Sequence, residues 1–347
     1  MTEDFYIGTY TKRISRGIYR VSVDSKAERL VDCEWLASAG SPTYLAKAAA
    51  QRLYVINKKE TDGHTQGGLI IYDVTDVKPR AIQQVLRTGS SPAYVAVDED
   101  RQLVYTANYH TAAVTVYAIA ADGTLTQADE VVDQGPVGTA PEQTDGPHPH
   151  FADLTPDHRL VVCDLGTDRV YIYDVTDAGK LTLVSQLALP DGFGPRHITF
   201  DADKGVAYLV GELSSNVATL AYDAASGVLT LKGIVSTIPD DWTEHNGAAA
   251  IRMSADGRFI YVSNRGHNSL TVFAADDAGT LTTVQRISTE GDFPRDFNWD
   301  SSQRLVLVVN QNSDNASLYA RDATSGKLTL KQKGFMVPEG VCVIPVK

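Results

Sequence analysis

Gly123-Thr-Leu-Thr126 returns as Gly179-Lys-Leu-Thr182, Gly227-Val-Leu-Thr230, Gly279-Thr-Leu-Thr282 and Gly326-Lys-Leu-Thr329. Leu125 and Leu328 lie 203 residues apart in four steps, which sets a period of about 51 residues. Two degenerate copies, Lys78-Pro-Arg-Ala-Ile82 and Lys26-Ala-Glu-Arg-Leu30, extend the series towards the N-terminus and bring it to seven.

A second phrase keeps the same phase. Its copies are Pro42-Thr-Tyr-Leu-Ala46, Pro92-Ala-Tyr-Val-Ala-Val97, Pro149-His-Phe-Ala-Asp-Leu154, Pro195-Arg-His-Ile-Thr-Phe200 and Pro294-Arg-Asp-Phe-Asn-Trp299. One copy has no proline, Ala248-Ala-Ala-Ile-Arg-Met253, and a last one, Pro338-Glu-Gly-Val-Cys-Val343, lies near the C-terminus. Between the two phrases each repeat carries two more short runs, such as Leu103-Val-Tyr-Thr-Ala-Asn108 and Val114-Thr-Val-Tyr-Ala-Ile119. β-Branched and aromatic residues bounded by Asp, Asn and Gly mark strands. No segment shows a long apolar stripe at helical spacing. Each repeat therefore predicts four strands, A to D, and the fold class is all-β, a seven-bladed β-propeller of four-stranded antiparallel blades.

The two ends decide how the ring closes. Pro338 to Val343 reads as a strand A with no B after it, while Phe5-Tyr-Ile-Gly-Thr9 and Gly17-Ile-Tyr-Arg-Val21 read as a B and a C with no A before them. Together they complete one blade, which removes an open edge. The expectation is a single propeller domain over residues 1–347. The WD40 subtype does not fit, because Trp299-Asp300 and Gly266-His267 occur once each and out of phase.

Composition removes several function classes. The chain has 43 acidic and 31 basic residues and a net charge of -12. Sequence-independent nucleic-acid binding needs a basic stripe to displace counterions, so no nucleic-acid partner is expected. No stretch approaches the roughly 20 apolar residues of a membrane helix. The acidic start, Met1-Thr-Glu-Asp-Phe-Tyr6, has no apolar segment of a secretory signal. Cys33, Cys163 and Cys342 are odd in number and far apart, which predicts reduced thiols and a cytoplasmic protein.

The topology converts the repeat into a site. The start of strand A and the end of strand B meet at one rim of each blade. After the strand-A proline the seven residues are Thr43, Ala93, His150, Arg196, Ala249, Arg295 and Glu339; at the end of strand B they are Tyr10, Lys58, Tyr109, Leu165, Glu212, Arg265 and Gln311. His148, Glu244, His245 and Asn246 come just ahead of strand-A starts, and His197 follows Arg196. A lone surface arginine or histidine is ordinarily a solvent or structural residue. Charge that replaces small residues in the same slots of one repeat instead predicts an axial pocket. His64, in Thr61-Asp-Gly-His-Thr-Gln-Gly-Gly68, reads as a loop, and Val132 to Pro147 as a long loop over the rim; His110 and His267 fall beyond strand B. No phosphate-binding loop, HExxH or Gly-x-Ser-x-Gly occurs, which disfavours a serine-hydrolase mechanism.

Several phrases together resemble the seven-bladed lactonase family, which includes propeller-type 6-phosphogluconolactonases and the fungal carboxy-muconate lactonizing cyclase. They are His150-Phe-Ala-Asp-Leu-Thr-Pro-Asp157, Gly194-Pro-Arg-His197, Gly211-Glu-Leu-Ser-Ser215, Asp256-Gly-Arg-Phe-Ile-Tyr261 leading to Arg265, and Pro294-Arg-Asp-Phe297. Gly211 stands where the family often has Asn before the glutamate. The resemblance covers the whole chain and implies a channel-mouth site of His150, Glu212, Arg196, Arg265 and Arg295.

It further implies hydrolysis of a sugar lactone, 6-phosphoglucono-1,5-lactone first, within the pentose phosphate pathway. Acyl hydrolysis needs a base for water, positive charge for the oxyanion and a proton for the leaving oxygen. Glu212 or His150 is the expected base and Arg196 the oxyanion partner. Arg265 and Arg295, assisted by Lys58, are expected to hold the phosphate, since the guanidinium fork matches its oxygens. His148, His197 and His245 complete the expected substrate contacts. No metal ligand set is evident, so the reaction is expected to need no metal and no cofactor. Two alternatives stay open: a muconate-type lactonizing cyclase, and a non-catalytic binding scaffold, since fold alone warrants no function.

Overall fold

The computed structural model describes residues 2–346. Its strands form seven four-stranded sheets, each antiparallel where pairing is given, and one short 3-10 turn, Pro141–Gln143, is the helical segment among the described residues. The fold is the seven-bladed β-propeller expected from the repeat. One blade takes its strands from both ends of the chain, in the order Gly340–Pro345, Thr2–Thr9, Gly17–Asp24 and Arg29–Ser38. Ile7 faces Val343 and Phe5 faces Pro345 across that junction.

The chain divides into two compact units. One comprises Met1–Ser38, His197–Leu220 and Lys232–Lys347; the other comprises Ala39–Arg196 and Ala221–Leu231. In the first, Phe5, Ile7, Val21, Leu307, Leu318 and Val343 belong to one apolar cluster, joining the mixed blade to Leu305–Asn310 and its neighbours. In the second, Tyr54, Ile56, Leu69, Val95 and Tyr117 join two adjacent blades in the same way.

The recurring Gly-x-Leu-Thr phrase is a latch between blades. Its glycines take positive φ, 87° at Gly123 and 72° at Gly326, a conformation that glycine adopts without strain. The carbonyl of Gly123 accepts from the Tyr54 hydroxyl of the preceding blade, and that of Gly326 from Tyr261. The leucine is held on both sides of its peptide by a glutamine of the preceding strand D. Leu125 N–H donates to Gln83 at 2.6 Å while Gln83 Nε2 donates back to its carbonyl at 2.9 Å; Gln285 treats Leu328 identically at 2.7 and 2.9 Å. The glycine carbonyl takes up the same kind of contact with other donors elsewhere, Ser185 at Gly227 and Thr219 at Gly279, and the Leu181 N–H goes to Asp129 in place of a glutamine.

The segment around His64 differs from expectation. Arg52–Thr61 and His64–Asp73 are long strands paired to their ends, with Thr61 opposite His64. Asp62 and Gly63, at φ 51° and 75°, make the two-residue turn, the Asp-Gly chemistry that hairpins of this length require. The glycines at 67 and 68 have another purpose. A Cβ at Gly67 would lie 2.2 Å from the backbone at Ser90 and Ser91, so they mark close approach and not a loop. Cys33, Cys163 and Cys342 are thiols outside any disulfide, and burial pushes the Cys33 thiol up to about 11, with Asp32 adding to it.

Candidate functional site

In the first unit the site residues start from Glu212. It follows Val206–Gly211, a fully buried strand B, and its carbonyl accepts Ala248 N–H at 3.2 Å. The next blade ends its own strand B, Phe259–Arg265, with the arginine. Arg265 is 4% exposed, and its NH2 lies 2.9 Å from Glu212 Oε1. Its Nε donates to Gly247 carbonyl at 3.0 Å and its NH2 to Ala248 carbonyl at 3.2 Å, so strand A of the same blade fixes the guanidinium plane. Gly266 then turns away at φ 116°; a Cβ there would lie 2.1 Å from the His245 carbonyl. Glycine is thus required directly after Arg265.

Charge is concentrated here. Burial lowers the Arg265 pKa, Glu212 opposes that shift, and Arg295 adds to it. Arg295 stands second in Pro294–Trp299 and lies over the Tyr10 ring, 5.6 Å from its centroid. Arg265 lies 5.2 Å from the Phe293 ring centroid. Glu212, Arg265, Arg295, Tyr10 and Phe293 therefore form one group. His197, in Pro195–Asp201, is buried, whereas His245 is exposed.

The second unit holds a histidine group. His148 is 3% exposed and stacks on Tyr109 with ring centroids 4.0 Å apart and planes 1° from parallel. Its Nδ1 lies 2.6 Å from the Tyr109 carbonyl and its Nε2 2.8 Å from Asp145 Oδ1. Buried Asp164, at the end of strand B, accepts the His148 N–H at 2.8 Å. Burial and nearby Asp133 keep the Asp164 carboxyl well above the usual range. His150 is also buried and meets Tyr109 edge-on, 6.1 Å between centroids. The predicted long loop is present between Leu125–Val132 and Pro149–Leu154, and it is pinned: buried Gln143 donates to the Leu165 carbonyl at 2.7 Å. Arg196 is 2% exposed, and the turn before it is set by Asp168, which accepts Gly192 and Gly194 N–H groups at 2.8 and 2.7 Å. Lys58 is exposed and pairs with Glu60 at 3.1 Å.

The repeat slots thus identify side chains that the fold groups: Glu212 with Arg265 and Arg295, and His148 with His150. Tyr10 and Tyr109 share the strand-B slot but carry no charge to single them out, although each is the ring on which its group is built. Asp145 lies in an aperiodic loop, where no spacing marks it. Among the described residues no three His, Cys, Asp or Glu side chains gather as a metal ligand set.

Residues 4–345 match the family described as Lactonase, 7-bladed beta-propeller. The 6-phosphogluconolactonase of Bacillus subtilis is 40% identical over 344 residues, 97% of each chain. A crystal structure of a protein from Lactobacillus plantarum is 54% identical, with TM-score 0.97 and complete coverage of both chains. The Pseudomonas aeruginosa periplasmic gluconolactonase, PpgL, is 31% identical with TM-score 0.91, covering 100% of this chain and 99% of its own. With these matches running the full length of the repeat that shapes the site, the chain belongs to the lactonase family of seven-bladed β-propellers.

Proposed function

We propose that the protein hydrolyses 6-phosphoglucono-1,5-lactone to 6-phosphogluconate. The observation that carries this reading is the buried Arg265 guanidinium paired with Glu212, with a second arginine beside it, in a chain of the lactonase family. Glu212 takes a proton from the attacking water. A bond forms between that oxygen and the lactone carbonyl carbon, and negative charge gathers on the carbonyl oxygen. Collapse of the tetrahedral species breaks the bond to the ring oxygen, which receives the proton held by Glu212. The product acid then releases its own proton to solvent.

Arg265 has a different role from the one its slot first implied. Two of its donor positions are committed to the carbonyls of Gly247 and Ala248 and it contacts Glu212, so it orients the base. Arg295 is the better phosphate ligand, being partly exposed, lying over the Tyr10 ring and making no ion pair among the described residues. In the second unit Arg196 keeps the proposed role of oxyanion partner and His150 that of an auxiliary acid or base, on the family motif and their burial. Localised charge of this kind is worth most where water is excluded.

The test is a direct assay on freshly generated 6-phosphogluconolactone, with gluconolactone in parallel. The reading expects hydrolysis well above the spontaneous rate and a preference for the phosphorylated lactone. A rate no faster than the spontaneous one would remove the function, and equal rates on both would remove the phosphate assignment.

A further inference from the structure

The segment between Thr2–Thr9 and Gly17–Asp24 could have been a two-residue hairpin turn. It is a seven-residue loop instead, and a buried carboxylate organises it. Glu339 is completely buried, at φ 48°. Its Oε1 accepts the N–H groups of Lys12 and Arg13 at 3.0 and 3.1 Å; its Oε2 accepts those of Arg13, Ile14 and Ser15 at 3.0, 3.0 and 2.9 Å. Four successive amides converging on one anion form a nest. The Glu339 backbone is tied down as well: its carbonyl accepts Tyr10 N–H at 3.0 Å, and its N–H donates to Asp314 at 2.9 Å. Asp314 in turn holds the Arg13 guanidinium at 2.7 Å.

Removing a carboxylate from water is costly unless hydrogen bonds replace the lost hydration. Here they do, and the consequence is a loop of fixed shape. What it presents is Tyr10 and Lys12. The Lys12 Nζ lies 4.6 Å from the centroid of the Tyr10 ring, the same ring that Arg295 covers at 5.6 Å. Among the described residues neither cation makes an ion pair, in a protein with 43 acidic side chains available. Arg295 also stands near enough to Arg265 for the two charges to oppose each other. Two cations over one aromatic ring, neither paired with a carboxylate among the described residues, offer charge for an anion.

We propose that Lys12, Tyr10 and Arg295 form the subsite for the substrate's phosphate, and that Glu339 is the positioning residue that holds Lys12 and Tyr10 there. This rests on the lactonase reading above. It differs from the expectation for Lys58, whose ammonium contacts Glu60. The ligand is a phosphate monoester dianion; inorganic phosphate shares its chemistry and serves as a second probe.

The experiment compares wild type, Lys12→Met and Glu339→Gln on 6-phosphogluconolactone and gluconolactone. With Lys12→Met, the ratio of kcat/KM for the phosphorylated to the unphosphorylated lactone should fall about tenfold, the worth of one lost charge-assisted contact. The loss should lie in KM, with kcat for the phosphorylated lactone nearly kept. Competitive inhibition by inorganic phosphate should weaken in parallel. Glu339→Gln should shift the ratio in the same direction, because an amide cannot accept from four N–H groups as a carboxylate does, and Glu339→Asp should recover part of it. An unchanged ratio in Lys12→Met, or equal losses on both lactones, overturns the subsite and leaves the lactonase reading standing. If wild type hydrolyses neither lactone, that reading fails by itself. The subsite is then judged by titrating 6-phosphogluconate and inorganic phosphate into wild type and Lys12→Met. Binding of 6-phosphogluconate that Lys12→Met weakens supports it; equal or absent binding overturns it.

Discussion

Glu212 and Arg265 come from neighbouring blades, 53 positions apart in the chain, and contact each other at 2.9 Å. That distance in sequence is close to one period, so the pair is a product of the repeat. It is legible in the sequence because both residues occupy the strand-B terminal slot. Lys12 and Asp145 are not legible, because they lie in loops that break the period, and only the folded backbone shows what they approach. Glu339 is visible as a slot residue, but its task is hidden, since backbone N–H groups leave no mark in a sequence. The pair also sets a residue-scale prediction. Glu212→Gln keeps the shape and removes the base. Hydrolysis should fall about 10²- to 10⁴-fold, the range for loss of a general base. Thermal melting, read alongside, separates this from unfolding, because Arg265 stays buried against an amide. Retention of more than half the wild-type kcat in a folded variant would exclude Glu212 as the base.

Between residue and molecule stands the A–B hairpin, where one aspartate does the organising. Asp98 ends Tyr94–Asp98 and is fully buried. It accepts Arg101 N–H at 3.0 Å, the Arg101 guanidinium at 2.8 Å and the Tyr105 hydroxyl at 2.9 Å. Burial by itself raises the carboxyl, but these donors outweigh it and its pKa is lowered. A depressed value in the folded state means that the contribution is present above the unfolded value of about 3.9 and is lost as pH falls through the lower folded value. Asp98→Asn should therefore cost about 1–3 kcal/mol at neutral pH, with Arg101 and Tyr105 left short of an acceptor. The gap to wild type should narrow as pH drops below about 4. Denaturant melts of both proteins from pH 7 to 3 measure it; a gap that widens on acidification contradicts the assignment. The sequence Asp98-Glu-Asp-Arg101 is polar throughout, and nothing in it tells the buried Asp98 from the exposed Asp100 two positions on.

For the whole molecule, the joined ends are the decisive feature, and they are the part of the fold most directly legible in the sequence. A strand A without a B and a B without an A leave one completion. The structure makes it, with Tyr6 opposite Ile344 and Ile7 opposite Val343. Strand Gly340–Pro345 carries Val341, Cys342 and Val343, all nearly or completely buried. Each apolar side chain of this size is worth about 1.5–3 kcal/mol when buried. Its removal would also leave Thr2–Thr9 as an unpaired edge, with Phe5 and Ile7 losing their cover. The sum approaches the net stability of an ordinary domain, about 5–15 kcal/mol. A chain ending at Met336 is therefore expected to lose its cooperative melt and to aggregate at concentrations where wild type stays in solution. Supplying a peptide of residues 337–346 in excess should restore the transition in part, because the missing strand pairs through its backbone. Size-exclusion chromatography and calorimetry decide the matter. A truncated chain that elutes like wild type and melts within a few degrees of it would show that closure by the shared blade contributes little to stability.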